Sequence, residues 1–230
     1  MTDRVKIIIL YVVVAVLSIG VLATSFWLRE VRRRSFGTHG SNFGEVGRTE
    51  PVDYGALEKD LVLTNQKGEE VKLSDLKEKV WVVTNFFAAC PFCQSTASGD
   101  LKELYDEFGS DPNFHLVSIT INPEVDDLQS YADAMGSKEK NWWFLRGEVS
   151  EVYEYPEKEM GFMKVTKNEP PATELFSHDR ALLVFDGWKC VKKRDLQFAR
   201  TQGEVVHKAY FKDVRASILK SLAARKLNSP

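Results

Sequence analysis

A buried strand that leads into two cysteines limits most strongly what this chain can fold into. Val80 to Ala88 is a continuous apolar and β-branched run, which is typical of a central strand buried on both faces. Cys90 and Cys93 follow it, separated by two residues, and the sequence after them has a helical pattern that ends at Gly109. The pattern predicts a strand, a pair of thiols at the start of a helix, and then the helix itself.

Strands and helices alternate along the rest of the chain. Buried or amphipathic strand patterns occur at FHLVSITI, WWFLRG, ALLVFDG and KCVKK, with helical patterns between and after them. Such alternation implies a parallel sheet covered by helices on both faces. We therefore expect an α/β fold, a thioredoxin-like sandwich with a central, mostly parallel sheet flanked by helices. Active groups in such sheets gather where strand ends meet helix starts, and Cys90 and Cys93 lie at such a junction.

The first residues have a different character. No residue from Ile7 to Leu28 is charged, and about 20 apolar residues span a bilayer as a helix. A cleavable signal peptide is the competing interpretation, but its apolar core usually has only about 7–15 residues. We expect a short tail (1–6), an uncleaved N-terminal transmembrane helix (7–28), a flexible basic and Gly-rich tether (29–56) and a thioredoxin-like domain (57–230).

Charge gives two further indications. The net charge is -2, so bulk electrostatics suggest no nucleic-acid partner. Positive residues near a membrane span tend to stay in the cytoplasm. More positive residues follow the predicted span than precede it: Arg4 and Lys6 come before it, and Arg29, Arg32, Arg33 and Arg34 come after it. If only these charges are counted, the C-terminal domain would lie in the cytoplasm.

Cys90 and Cys93 carry the chemistry that the motif predicts. A thiol at a helix N-terminus meets the positive end of the helix dipole and unpaired backbone N–H groups, which lower the thiol pKa. Pro91 fits the first turn, where a missing N–H has no consequence. Such a pair can cycle through a disulfide or hold a soft metal ion. Cys190 stands alone, and we expect it to be a small apolar strand residue.

Among the histidines, His178 is the candidate ligand. It lies in a polar loop just before the predicted strand Ala181 to Phe185, and in a thioredoxin-like sheet that loop lies beside the cysteine-bearing helix. Two thiolates and an imidazole form a soft, low-coordinate set suited to Cu(I), whereas zinc generally takes a fourth ligand. We expect His115 to be structural and His207 to lie on the surface.

Several segments together resemble the Sco/SenC family of membrane-anchored thioredoxin-fold copper proteins. They are LTNQKGEEVKLSDLKEKVWVVTNFFAACPFC, LVSITINPEVDDLQSYADAMG, WWFLRGE and SHDRALLVFDG. The resemblance implies copper ligands at Cys90, Cys93 and His178. It also implies delivery of copper to the dinuclear centre of cytochrome c oxidase, or thiol reduction of the copper-bearing subunit. It favours a metallochaperone over an enzyme.

The chain departs from the family pattern at several positions. The family usually has three residues between its cysteines and Pro after the second, whereas Gln94 follows Cys93 here. Asn122 stands where the family usually has Asp, and Asp179 where it usually has Ser. The shorter spacing is that of thioredoxins and glutaredoxins, which exchange disulfides.

A membrane-tethered thiol–disulfide oxidoreductase without metal is therefore the alternative function. It could use Pro171 as a cis-proline, with Ala172 to Phe176 as the following strand, and His178 would then lie beyond the site. A third alternative is a tethered binding module without redox or metal chemistry. Either leading activity normally faces the exterior of the cytoplasmic membrane, and translocation of a whole domain can override local charge. We thus expect a single-pass protein with an extracytoplasmic domain on the periplasmic side, whose partner is the copper-bearing oxidase subunit or another thiol- or copper-carrying protein.

Overall fold

The computed structural model describes residues 54–90, 98–137, 141–169 and 174–228, together with Ser18, Gly20 and Thr24. Contacts divide the chain into two units, Met1–Phe43 and Gly44–Pro230. The three described residues of the first unit are helical. Among all the described residues, no helix is long and apolar enough to cross a membrane. Apart from those three residues, the expected anchor (7–28) lies outside the described part of the chain, as does most of the tether (29–56), so both stay predictions.

The second unit contains short strands and helices in alternation. The strands are β1 (Val62–Thr64), β2 (Glu70–Lys72), β3 (Val80–Phe86), β4 (Phe114–Thr120), β5 (Trp142–Leu145), β6 (Thr166–Lys167), β7 (Phe176–Ser177), β8 (Leu182–Asp186) and β9 (Lys189–Arg194). The helices are α1 (Ser98–Phe108), α2 (Leu128–Met135), α3 (Val149–Lys158), α4 (Leu196–Thr201) and α5 (Glu204–Asn228), with a 3-10 turn at Leu73–Leu76. The β6–β7 pair and α4 were not predicted from the sequence.

Five of the strands form the central sheet in the order β5-β4-β3-β8-β9. Strands β3, β4 and β5 are parallel, whereas β8 is antiparallel to β3 and β9 is antiparallel to β8. The expectation of a mostly parallel sheet is therefore wrong, and the sheet is mixed. A parallel pair needs a long crossover, but only a tight turn joins β8 to β9, and the chain enters β8 from the edge where β3 ends.

The turn between β8 and β9 is itself fixed by close packing. Gly187 has φ +60°, and a Cβ at this position would lie 2.7 Å from the carbonyl oxygen of Lys77. The Gly187 carbonyl accepts a 2.6 Å hydrogen bond from Nε1 of the buried Trp81. A side chain larger than hydrogen would be strained here, which explains why Gly follows Asp186.

Strand β3 lies at the centre of the molecule and is buried along its whole length. Its side chains alternate between two cores: Val80 and Val82 pack on the face covered by α1, α2 and α5, and Trp81 and Val83 pack on the opposite face. The continuous apolar run thus reflects burial on both faces, as the sequence predicted. The strand delivers the chain to Phe87 and Cys90 at the edge of the sheet where β4 also ends.

Candidate functional site

Cys90 lies in a tight turn directly after β3. Its backbone N–H donates to the Phe87 carbonyl at 3.1 Å, and the residue is 2% exposed. It packs in a small apolar cluster, which we call the Cys90 cluster: Phe87, Cys90, Ile121, Val165 and Phe176. Cys93 falls in the segment 91–97, outside the described residues, so the geometry of the pair and the start of its helix remain predictions.

A buried carboxylate holds the turn that leads to Cys90. Asp126 accepts hydrogen bonds from the backbone N–H of Ala88 at 3.0 Å and from the Thr120 hydroxyl at the end of β4. The Arg146 guanidinium, just after β5, donates to the Asp126 backbone carbonyl. Burial raises the pKa of the Asp126 carboxyl, and these hydrogen bonds oppose the rise. The turn is therefore tied to the ends of two neighbouring strands.

Replacing Asp126 with Ala should destabilise the fold by about 1–3 kcal/mol, because the buried Thr120 hydroxyl and the half-buried Ala88 N–H would lose their acceptor. The neighbouring Asp127 is a matched control, since it is an exposed N-cap of α2 that accepts from the Ser130 N–H. Loss of that cap should cost about 1 kcal/mol. Urea unfolding of both variants tests the difference, and an Asp126→Ala effect no larger than that of Asp127→Ala would contradict this role.

His178 lies in the loop between β7 and β8, where the sequence predicted it. Its ring is 8% exposed, and Nδ1 lies 2.9 Å from the backbone carbonyl oxygen of Asp179. A carbonyl oxygen only accepts hydrogen bonds, so Nδ1 must carry the proton. Nε2 is buried and has no hydrogen-bond partner among the described residues. The imidazole therefore keeps a free lone pair in a site closed to solvent.

Phe87 connects the histidine to the cysteine. Its ring packs edge-on against the His178 ring, with 5.7 Å between ring centroids, and edge-on against Phe176 at 5.2 Å. Because Phe87 is also a member of the Cys90 cluster, the fold brings Cys90 and His178 to the same edge of the sheet. Residues 88 apart in sequence thus meet around one aromatic ring, and this agrees with the predicted alignment of SHDRALLVFDG.

The described side chains alone do not complete a metal site. Within the described part of the chain, no three His, Cys, Asp or Glu side chains gather where they could hold a metal ion. The third predicted ligand, Cys93, lies outside it. The donors that are described, a buried thiol and a neutral imidazole, fit a soft cation such as Cu(I).

The alternative site based on Pro171 stays a prediction, because Pro171 and the two residues after it lie outside the described part of the chain. Of the described residues 174–176 in the strand expected there, Phe176 belongs to the two-residue β7. That strand pairs with β6 and not with the central sheet. The strand beside β3 is β8, which directly follows the His178 loop.

The remaining histidine and cysteine residues named in the sequence analysis, His115, His207 and Cys190, lie away from the Cys90 cluster. His115 is buried against Trp143, and burial and Lys79 lower its pKa to about 3, which makes it a neutral core residue. Cys190 is buried in the core opposite α5, and burial raises its pKa to about 12. It is therefore an inert thiol. The predicted surface position of His207 is wrong, because its Nε2 lies 3.1 Å from the buried carboxylate of Asp100.

Sequence reasoning missed the polar cleft beside that carboxylate. Asp100, on α1, also binds the Arg200 guanidinium at 2.6 Å. The adjoining cavity of about 30 Å³ is lined in part by Asn85, whose amide oxygen and nitrogen are both buried and have no hydrogen-bond partner among the residues that the structure describes. A cavity of this size has room for a bound water molecule. Nothing in the local sequence indicates the cleft, since its residues come from several elements that are distant in sequence, among them β3, α1 and α4.

Comparisons with known proteins show the family and the fold of this chain. The sequence model of the SCO1/SenC family matches residues 50–209, whereas no curated protein matches the chain in sequence. Among solved structures, one similar protein is BsSco, a Sco family cytochrome c oxidase assembly protein with a disulfide switch. It is 18% identical with a TM-score of 0.54, and the match covers 75% of this chain and 98% of the BsSco chain.

Two further structures are similar. ScoI from Bradyrhizobium japonicum with copper bound is 19% identical with a TM-score of 0.51, covering 67% of this chain and 99% of its own. A SCO1/SenC family lipoprotein from Bacillus anthracis is 22% identical with a TM-score of 0.51, and the match covers 64% of this chain and 88% of the lipoprotein chain. These similarities show a thioredoxin-like α/β fold. Because the family model covers well over half of its residues, the chain belongs to the SCO1/SenC family.

Proposed function

We propose that the chain binds Cu(I) through Cys90, Cys93 and His178 and acts in the assembly of the dinuclear copper centre of cytochrome c oxidase. It would deliver copper to the copper-bearing subunit or reduce a disulfide of that subunit to thiols. The observation that carries the proposal is Nε2 of His178, which is buried and has no hydrogen-bond partner in the described part of the chain, beside the aromatic ring that packs on Cys90. Buried polar atoms normally have a partner, and a metal ion would be one.

The donor set explains why copper is the favoured metal. Thiolates and a neutral imidazole are soft or borderline ligands, and Cu(I) accepts low coordination numbers. The donation of Nδ1 to a backbone carbonyl is the arrangement commonly found behind a metal-bound histidine. The copper-bound ScoI structure supports the same choice. Copper is cargo in this account, so a partner with competing soft ligands would take it from the site.

Anaerobic titration with a competing Cu(I) chelator tests the proposal. We expect the full-length chain to retain one Cu(I) and a Cys190→Ala variant to bind as tightly, because the Cys190 thiol is buried and inert. Retention of no Cu(I), or a Cys93→Ser variant that binds as tightly as the parent, would contradict it.

The spacing of the cysteines favours a second function. With only two residues between them, Cys90 and Cys93 could act as a redox dithiol and reduce a partner's disulfide. Two thiols would become one disulfide, and two electrons and two protons would pass to the partner. This activity needs neither copper nor His178, and a substitution at His178 therefore separates the two functions.

We also propose that residues 7–28 anchor the chain and that the domain lies outside the cytoplasmic membrane. The charge-free run and the oxidase-assembly role support this, against the basic residues after the span. Val205 is 83% exposed on α5, so a Val205→Cys variant provides an accessible reporter thiol. An impermeant thiol reagent should label it in intact spheroplasts while sparing the Cys190 thiol. Labelling only after lysis would place the domain in the cytoplasm.

A further inference from the structure

The loop that carries His178 is held by a buried carboxylate next to the histidine. Asp179 is 6% exposed. Three donors converge on it: the Ala181 N–H at 3.0 Å, the Met163 N–H at 3.2 Å and the Lys193 ammonium at 2.9 Å. One N–H group belongs to Ala181, two residues further along the same loop, and the other to Met163 in the segment before β6, so the carboxylate ties the loop both to itself and to that segment.

Lys193 connects this loop to the segment before β6. It projects from β9 and donates to the Gly161 carbonyl at 2.6 Å as well as to Asp179. Its side chain is largely buried over the Phe162 ring. A buried ammonium and carboxylate in this geometry neutralise each other, and removal of either would leave an uncompensated buried charge. The pair therefore behaves as one rigid element.

The backbone carbonyl of Asp179 accepts the hydrogen bond from His178 Nδ1–H. Because the side chain of the same residue is held by three donors, the carbonyl has little freedom to turn away. The ring orientation and the tautomer of His178 thus depend on contacts that His178 itself does not make.

We propose that Asp179 and Lys193 are positioning residues that hold His178 in the Nδ1–H tautomer and present Nε2 to copper. The inference rests on the proposed copper function for its consequence, but the tautomer can be observed without copper. It also gives a role to Asp179, which stands where the family usually has Ser. Neither residue touches the metal in this account.

Long-range ¹H–¹⁵N NMR on the copper-free, full-length chain in detergent tests whether His178 is in the Nδ1–H tautomer. In the neutral form of its ring, His178 should show the Nδ1–H tautomer, with the signal assigned by its loss in His178→Ala. A dominant Nε2–H tautomer in the unaltered protein would overturn the proposal, whatever the variants do.

The variants Lys193→Met and Asp179→Ser test whether these two residues position His178. In both variants, His178 should be present as a mixture of the Nδ1–H and Nε2–H tautomers. Cu(I) affinity should fall by about 10–100-fold, as is typical when a group that orients a metal ligand is lost. Lys192→Met is the matched control, since Lys192 is the adjacent strand residue and pairs instead with Asp213 on α5 at 3.3 Å. It should leave both readouts unchanged.

The outcomes separate this proposal from the copper function. Unchanged tautomer and affinity in Lys193→Met and Asp179→Ser, together with a loss of affinity in His178→Ala, would overturn the positioning role alone. Unchanged affinity in His178→Ala would overturn the copper site and leave the tautomer measurement standing. Thermal unfolding confirms that each variant is folded, and if Asp179→Ser is not, Lys193→Met and the tautomer of the unaltered protein decide.

Discussion

Replacing Cys90 with Ser should abolish both Cu(I) retention and disulfide formation. A three-ligand site would lose a thiolate, and hydroxyl oxygen is a poor ligand for soft Cu(I). The remaining Cys93 would have no partner thiol for an internal disulfide. We expect chelator competition to show no retained copper and thiol counting after oxidation to show no intramolecular disulfide.

Cys190→Ala is the control for that experiment. Cys190 is as buried as Cys90, but burial raises its pKa to about 12 and it packs in a different core. Its loss should leave both activities intact at a modest cost in stability. Tight copper binding by Cys90→Ser, or an internal disulfide in that variant, would show that Cys90 is not part of the site.

Replacing His178 with Ala should lower Cu(I) affinity by about 10–100-fold or more, since even a change behind a metal ligand costs about that much. The cysteines should still form their disulfide, because dithiol chemistry requires no imidazole. Chelator competition measures the first effect, and the dithiol reduction potential measured in parallel checks the second.

His207→Ala is the matched control, because His207 binds Asp100 in the polar cleft and not Phe87 at the Cys90 cluster. It should leave copper affinity unchanged. If His178→Ala instead binds Cu(I) as tightly as the parent while Pro171→Ala cripples disulfide exchange, the chain is a tethered thiol oxidoreductase.

The sequence predicts the strands of the central sheet well where burial imposes a pattern. Val80–Phe86 is apolar throughout because both of its faces are covered, and Phe114–Thr120 is buried along its whole length as well. The antiparallel direction of β8 was not predicted, because alternation of strands and helices says nothing about the edge from which a strand enters. The two-residue strands β6 and β7 are too short to leave a periodic signal.

The site was predictable only as far as local motifs extend. Cys90 precedes a helical pattern and His178 precedes a clear strand, so both could be placed at the edge of the sheet. The ion pair between Lys193 and Asp179 and the hydrogen bond between Asp126 and Ala88 join segments that are distant in sequence. No local pattern encodes such contacts. Asp179 was nevertheless noticeable in the sequence as a departure from the family pattern.

X-ray absorption at the copper edge of the Cu(I)-loaded, full-length chain tests the central claim most directly. The account predicts a low-coordinate site with two sulfur ligands and one nitrogen ligand, and loss of the nitrogen contribution in His178→Ala. A site with sulfur ligands only in the unaltered protein, or one whose nitrogen contribution survives in His178→Ala, would contradict the assignment of Cys90, Cys93 and His178 as the copper site.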